Sequence, residues 1–356
     1  MQYLIESQLI LEYTLHRTCV GGNKGIQKDL DDGIDTIGKK MTVCQLYAKQ
    51  IRHRGNVRYN TKNGRKRLMK LLEEDKLGGC PIDSVKLSDA KEWAIRMKEK
   101  GISYKTISND KRSLKAAFYT AIQDDCIRKN PFDFQLNTVI EDDTEPKVPL
   151  TPAQEESFLS FAQNDKVYQK YYDELIILLG TGLRISELCG LTDTDIDFEN
   201  RIINIDHQLL RSAETGYYIE TPKTKSGIRQ IPMSEKVYEA FNRVLKRRRG
   251  AKAVTIDGYS NFLFLNRDGY PKTATNYDGM FRGLAKKYNK YHEEALPKVM
   301  TPHTLRHTFC TNMANAGMNP KALQYIMGHS NITMTLNYYA HATFDSAKAE
   351  MLRIAA

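Results

Sequence analysis

From Met41 to about Phe134 apolar residues recur at helical spacing. Val43, Leu46 and Tyr47 open one run, Ile95 and Met97 sit in another, and Ile107, Leu114, Phe118 and Ile122 follow steps of seven, four and four in a third. This predicts a small helical bundle over residues 41–135. Residues 136–150 hold Glu141-Asp-Asp143, Pro146 and Pro149 without periodicity and read as a linker. A second domain, 151–356, begins at Thr151-Pro-Ala-Gln154, where Thr can cap a helix, Pro takes its first position and Gln completes a capping box. The apolar helix through Leu175-Ile-Ile-Leu-Leu179 is expected to stop at Gly180. The period then shortens to two within 194–206, 216–221 and 227–232, predicting short strands. From Thr301 helices and turns return, with stops at Gly317 and Gly328 and a restart at Asn319-Pro320. Residues 1–40 offer only Leu4, Leu11 and Leu15, a Gly21-Gly22 break and a helix-like stretch from Ile26. The pattern gives a mainly α fold with a small antiparallel β-sheet.

Charge sharpens this division. The formal net charge is +10 over 356 residues. Residues 41–130 carry 21 Lys and Arg against 10 Asp and Glu, whereas 1–40 and 131–356 are close to balanced. A basic excess confined to one helical segment is what a polyanion-gripping module requires. Its densest run is Arg52, Arg54, Arg58, Lys62, Arg65, Lys66 and Arg67, and Lys105, Lys111, Arg112 and Lys115 interleave with the last apolar stripe. These are the candidate phosphate contacts. The cysteines at 19, 44, 80, 126, 189 and 310 lack metal-ligand spacing and read as reduced thiols. No apolar run is long enough to span a bilayer, so a cytoplasmic, nucleoid-associated protein is expected.

The chemistry lies in the second domain. Arg184 sits in Thr181-Gly-Leu-Arg-Ile-Ser-Glu-Leu-Cys-Gly-Leu191, Lys225 in Thr224-Lys-Ser-Gly-Ile-Arg-Gln-Ile-Pro232, and His303 and Arg306 in Thr301-Pro-His-Thr-Leu-Arg-His-Thr-Phe309. Gly328-His-Ser-Asn-Ile-Thr-Met-Thr-Leu-Asn-Tyr-Tyr-Ala-His341 adds His329 and two adjacent tyrosines. Two guanidiniums can each donate paired N–H groups to phosphate oxygens and keep their charge at any relevant pH. His303 and Arg306 share a helix face near a positive helix end, which favours an anion. A tyrosine hydroxyl, with an ordinary pKa of about 10, must lose a proton as it attacks, and a departing 5′ oxygen must gain one. Such a cation set can act on a phosphodiester without a cofactor or metal.

These segments resemble, in order, the signature regions of the tyrosine recombinase (phage integrase) family, most closely the integrases of conjugative transposons; the match spans most of residues 151–341. The resemblance implies a helical, SAM-like core-DNA-binding domain over 41–135, a mixed α+β catalytic domain, and an N-terminal segment left from an arm-type DNA-binding domain. It implies Lys225 as general acid for the leaving oxygen, His303 as an aid to proton transfer at the tyrosine, His329 on the scissile phosphate and Glu187 as a buttress. Tyr339 is the preferred nucleophile, since Ala-His follows it; Tyr338, nine residues after His329, fits the commoner family spacing and is the second choice. The implied activity is site-specific recombination through a 3′-phosphotyrosyl intermediate and a Holliday junction. Implied partners are double-stranded DNA, a homotetramer with the C-terminal helix exchanged between protomers, and an accessory excision factor.

A non-enzymatic DNA-binding regulator would account for the basic helices but gives no reason for the Arg/Lys/His/Tyr series. A type IB topoisomerase-like enzyme would share the chemistry and relax supercoiled DNA without a specific site. A metal-dependent transposase is disfavoured, because no carboxylate constellation stands out. The absence of a Gly-x-x-x-x-Gly-Lys-Ser/Thr loop agrees with chemistry that conserves bond energy in a phosphotyrosyl link.

Overall fold

The computed structural model describes residues 38–55, 57–145, 148–248, 254–339, 351 and 352. Most of the N-terminal segment, His341, and the C-terminal helix expected from Ser346, apart from Met351 and Leu352, lie outside the described residues. The chain divides into two compact units between Glu145 and Pro146.

Among the described residues of the first unit four α-helices follow one another: α1 (Val43–His53), α2 (Tyr59–Glu73), α3 (Leu87–Glu99) and α4 (Tyr104–Gln123). Thr42 caps α1 by accepting from the Gln45 N–H while the Gln45 side chain reaches back to the Thr42 N–H. Val43, Leu46, Tyr47 and Gln50 then fall on one buried stripe, matched by Ala90, Trp93, Ala94 and Met97 on α3 and by Ile107, Leu114 and Phe118 on α4. Trp93 meets Phe132 edge-on at 5.7 Å, and Phe118 lies 5.4 Å from the same ring. Leu136 and Ile140 are buried in this core, so the first part of the expected linker belongs to the helical unit.

The second unit opens with α5 (Pro152–Asn164), capped by Thr151 and Gln154. Next come α6 (Tyr172–Thr181) and α7 (Ile185–Gly190). The α6 helix runs past the expected stop at Gly180 and ends at Gly182, which takes the left-handed conformation (φ +63°). Gly180 serves packing instead: a Cβ there would lie 2.4 Å from Val237 Cγ2. Among the described residues five strands follow: β1 (Ile196–Asp197), β2 (Ile202–Ile205), β3 (Gln208–Ser212), β4 (Gly216–Glu220) and β5 (Arg229–Pro232). They make two antiparallel sheets, β1-β2-β5 and the hairpin β3-β4, where the sequence pattern pointed to one. In the larger sheet Ile203 pairs with Ile231, and both side chains enter the core.

The remaining helices among the described residues are α8 (Glu235–Arg248), α9 (Ala274–Tyr291), α10 (Pro302–Asn315), α11 (Pro320–Met327) and the short α12 (Thr333–Leu336), with bridged turns over residues 254–273 between α8 and α9. Thr301 caps α10, Asn319 caps α11, and Gly328 ends α11 at φ +60°. Both α8 and α10 pack against α6, so the apolar α6 is the axle on which the Gly182 turn and the site residues of α10 are mounted.

Candidate active site

The α11 C-terminus organises the site. The last carbonyls of a helix lack partners within it and carry the negative end of its dipole. Here three successive carbonyls each take a different guanidinium: Ile326 O accepts from Arg229 Nε (2.6 Å), Met327 O from Arg306 Nη2, and Gly328 O from Arg184 Nη2 (2.9 Å). Arg306 is almost fully buried and also donates to Gly182 O (2.5 Å), at the end of α6. Arg184, at the N-cap of α7, keeps over a third of its side chain exposed. Two helix ends thus aim two arginines at one place.

Glu187 ties them together. Its carboxylate accepts from Arg184 Nη1 (2.7 Å) and, at both oxygens, from Arg229 Nη1 and Nη2 (3.0 and 2.9 Å). Burial alone would raise this carboxyl. The hydrogen bonds and charge of Arg229, with the charges of Arg184 and Arg306, overcome that and hold it at about 2. For Arg306, burial and the neighbouring Arg184 and Arg229 pull the guanidinium down to about 9, so it stays charged at neutral pH.

His329, also buried, follows Gly328 and shares Nδ1 with Thr335 Oγ1 (3.0 Å). Burial, followed by Arg306, Arg184 and Arg229, brings its imidazole down to about 4, which makes it neutral at pH 7. Lys225 is exposed and begins the turn Lys225–Gly227 ahead of β5. That turn abuts Gly328: a Cβ on Gly328 would lie 3.0 Å from Ser226 O. His303 is exposed on α10 and meets the His307 ring edge-on at 4.8 Å.

The two tyrosines differ in surroundings. Both rings pack against the small cluster of Phe309, Cys310, Ala314, Leu323 and Met327. The Tyr338 hydroxyl lies 2.5 Å from His307 Nδ1, whereas the Tyr339 hydroxyl donates to Met318 O. Burial pushes Tyr338 up to about 12, with Cys310 adding to this and Arg306 opposing it. Tyr339 is raised by burial and Cys310, with no contribution from Arg306.

Arg229 and His307 were not picked out from sequence as site residues. In sequence Arg229 is one more cation beside a turn, and only the buried carboxylate of Glu187 marks it out. His307 stands one residue after Arg306 and one helical turn from His303, which puts it on the histidine face of α10. Among the described residues one grouping has the composition of a metal site: Asp195, Asp206 and His207. Both His207 nitrogens are already engaged, by Asp206 (2.6 Å) and by the Gly190 carbonyl (2.8 Å), so the trio is a packed polar lock between α7 and the start of β3.

The chain is similar to known proteins. Residues 149–346 fit the phage integrase family. Over 92% of its length the chain is 69% identical to the transposase from transposon Tn916 of Enterococcus faecalis, covering 81% of that protein. The chain belongs to the phage integrase family. It is a tyrosine-type site-specific DNA recombinase with the mainly helical fold of that group. Solved relatives include the Tn1549 transposon integrase in an arginine-to-lysine form with a circular intermediate DNA (78% identity, TM-score 0.84, covering 88% of this chain and 99% of that one). A tyrosine-to-phenylalanine form of the same integrase, with transposon right end DNA, shows the same identity and TM-score and covers 89% of this chain and all of that one.

The basic unit of the recombinase sorts its candidate phosphate contacts. Arg52, Arg54, Lys62, Lys66, Lys105 and Arg112 are exposed, and Arg58 and Arg65 half-buried. Three others hold the fold: Arg67 pairs with buried Asp110 (2.6 Å), Lys111 donates to Phe134 O (2.5 Å) and lies over that ring, and Lys115 pairs with Asp133 (2.5 Å). No described helix is long and apolar enough to cross a membrane.

Proposed function

We propose that this recombinase joins and releases the ends of a mobile DNA element by tyrosine-mediated strand exchange, with Tyr338 as the nucleophile rather than Tyr339. The observation that carries the assignment is the Tyr338 hydroxyl at 2.5 Å from His307, next to Arg306, while the Tyr339 hydroxyl is spent on a main-chain carbonyl. Position supports it too. Counted back from the last residue, the arginine and tyrosine replaced in the Tn1549 fragments fall level with Arg184 and Tyr338.

Arg184 and Arg306 bind the non-bridging oxygens and stabilise the charge that builds at phosphorus; preorganised donors of this kind supply roughly 3–4 kcal/mol each. Neutral His329, oriented by Thr335, donates to the same phosphate, and Lys225 protonates the departing 5′ oxygen. The product is a 3′-phosphotyrosyl bond that a 5′ hydroxyl can reverse, and exchange between two duplexes in a tetramer passes through a Holliday junction. The exposed cations of the helical unit, Arg52, Arg54, Lys62, Lys66, Lys105 and Arg112, contact the phosphates of double-stranded DNA. The assembly works on cytoplasmic, nucleoid DNA, with the C-terminal helix docking on a neighbouring protomer and an accessory factor biasing excision. Nicked suicide DNA tests the nucleophile. Wild type and Tyr339→Phe should trap a covalent adduct, Tyr338→Phe should not, and peptide mapping should place the bond on Tyr338. An adduct on Tyr339 would overturn the assignment.

A further inference from the structure

We propose that His307 is the base that accepts the Tyr338 proton during strand cleavage, with His303 next to it as the outlet toward solvent. The assignment rests on Tyr338 being the nucleophile and goes beyond it by naming where its proton goes. Geometry singles out His307: its Nδ1 is the ring nitrogen 2.5 Å from the Tyr338 oxygen, and its ring meets that of the exposed His303 at 4.8 Å. The tyrosine-assisting role expected of His303 therefore passes through His307.

The need for a base is physical. Burial disfavours the phenolate, so attack requires proton removal in the same step. An imidazole with an ordinary pKa of about 6.5 can take a proton near neutrality, which the arginines of the site cannot do. The balance is complete: the Tyr338 O–H bond breaks and its proton moves to His307 Nδ1 as the Tyr338 oxygen bonds phosphorus. The bond from phosphorus to the 5′ oxygen breaks with its electron pair, and that oxygen takes the Lys225 proton. Resealing runs the same transfers backward, with His307 returning its proton to the phenol. The charged or titratable groups around His307 include His303 and Tyr338, which its ring meets, His329 after α11, and Arg306 and Cys310 near it on α10.

The test measures covalent adduct formation in single turnover on two suicide substrates, one normal and one with sulfur in place of the bridging 5′ oxygen. A thiol leaving group, with a pKa of roughly 8.5, departs without a general acid. His307→Asn keeps an acceptor near the Nδ1 position but cannot take a proton, and His307→Ala removes both. Each should bind DNA as wild type does and lose on the order of 100-fold or more in adduct formation. Sulfur should restore Lys225→Ala but neither His307 variant. The rate limb that rises with pH through the imidazole range should vanish in His307→Asn. If His307→Asn cleaves at nearly the wild-type rate, or sulfur rescues it, His307 is not the base. Should His307→Ala melt below the assay temperature, His307→Asn decides alone. Adduct formation by Tyr338→Phe would bring down the nucleophile assignment separately.

Discussion

Replacing Glu187 by Gln tests the charge architecture most directly. The change keeps the shape and removes one negative charge between three guanidiniums. Glu187 sits at about 2 against an ordinary value of 4.5, a gap that corresponds to roughly 3 kcal/mol of stability. Because the folded value is depressed, that stability is fully present above about pH 4.5 and is lost as pH falls through about 2. At pH 7 the variant leaves Arg229, whose side chain has no exposed surface, buried without its counter-charge. Removing one partner of such a pair costs about 3–5 kcal/mol. For a unit of this size each kcal/mol moves the melting temperature by about 2–4 °C, so a loss of roughly 6–20 °C is expected in thermal melts. The double variant Glu187→Met with Arg229→Met should recover most of that loss, since a packed apolar pair is often as stable as a buried ion pair. It should still fail to cleave, because Arg184 has lost its brace. A penalty under about 1 kcal/mol for Glu187→Gln, or a double variant no more stable than the single, would refute the linkage between these charges.

The other expectations are narrower. His329 is depressed to about 4, so between about pH 6.5 and 4 the unfolded chain binds a proton that the folded one excludes. Melting temperature should therefore fall across that window on acidification, and His329→Gln should flatten the slope. Gly182→Ala forces a side chain onto a left-handed residue and drives its Cβ to within 2.4 Å of the Phe309 ring. By displacing the carbonyl that holds Arg306 it should lower single-turnover cleavage by about 100-fold, as loss of a transition-state donor does, with DNA affinity kept. In salt titrations of DNA binding, Lys105→Ala and Arg112→Ala should each reduce the slope by about one. Lys111→Met, which loses a tie to Phe134 O, should lower the melting temperature and leave the slope unchanged.

What the sequence disclosed follows from how local each signal is. Thr151-Pro152, Thr301-Pro302 and Asn319-Pro320 announced helix starts because a cap is settled within four residues. The α1 and α4 stripes were legible because a buried face repeats along its own helix, whereas on α3 only Met97 of the named pair lies on the buried face and Ile95 is half-buried beside it. Gly180 misled because glycine serves two purposes, a left-handed stop and a close helix contact, and only the position of Val237 separates them. The two sheets and the burial of Leu136 and Ile140 depend on partners far along the chain. So does the fate of the cations: Lys111 and Lys115 share a stripe with Arg112, yet only the approach of Phe134 and Asp133 engages them within the unit. Arg184, Glu187, Arg306 and His329 could be picked out from their motifs, but the convergence of Arg184, Arg229 and Arg306 on residues 326–328 could not, since carbonyl oxygens are written into every sequence alike.

That convergence bears on how such a site tolerates change. No codon substitution deletes a carbonyl oxygen, so the grip on the three arginines survives any replacement at 326 or 327 that leaves the course of the chain intact. Variation there is free to answer to neighbours or to DNA sequence without loosening the cations. The vulnerable positions are those that set the course, Gly182 and Gly328, together with the arginines themselves. A saturation scan of this segment should accordingly find half-buried position 326 more permissive than buried Met327, which the cluster under the tyrosine rings holds to apolar residues.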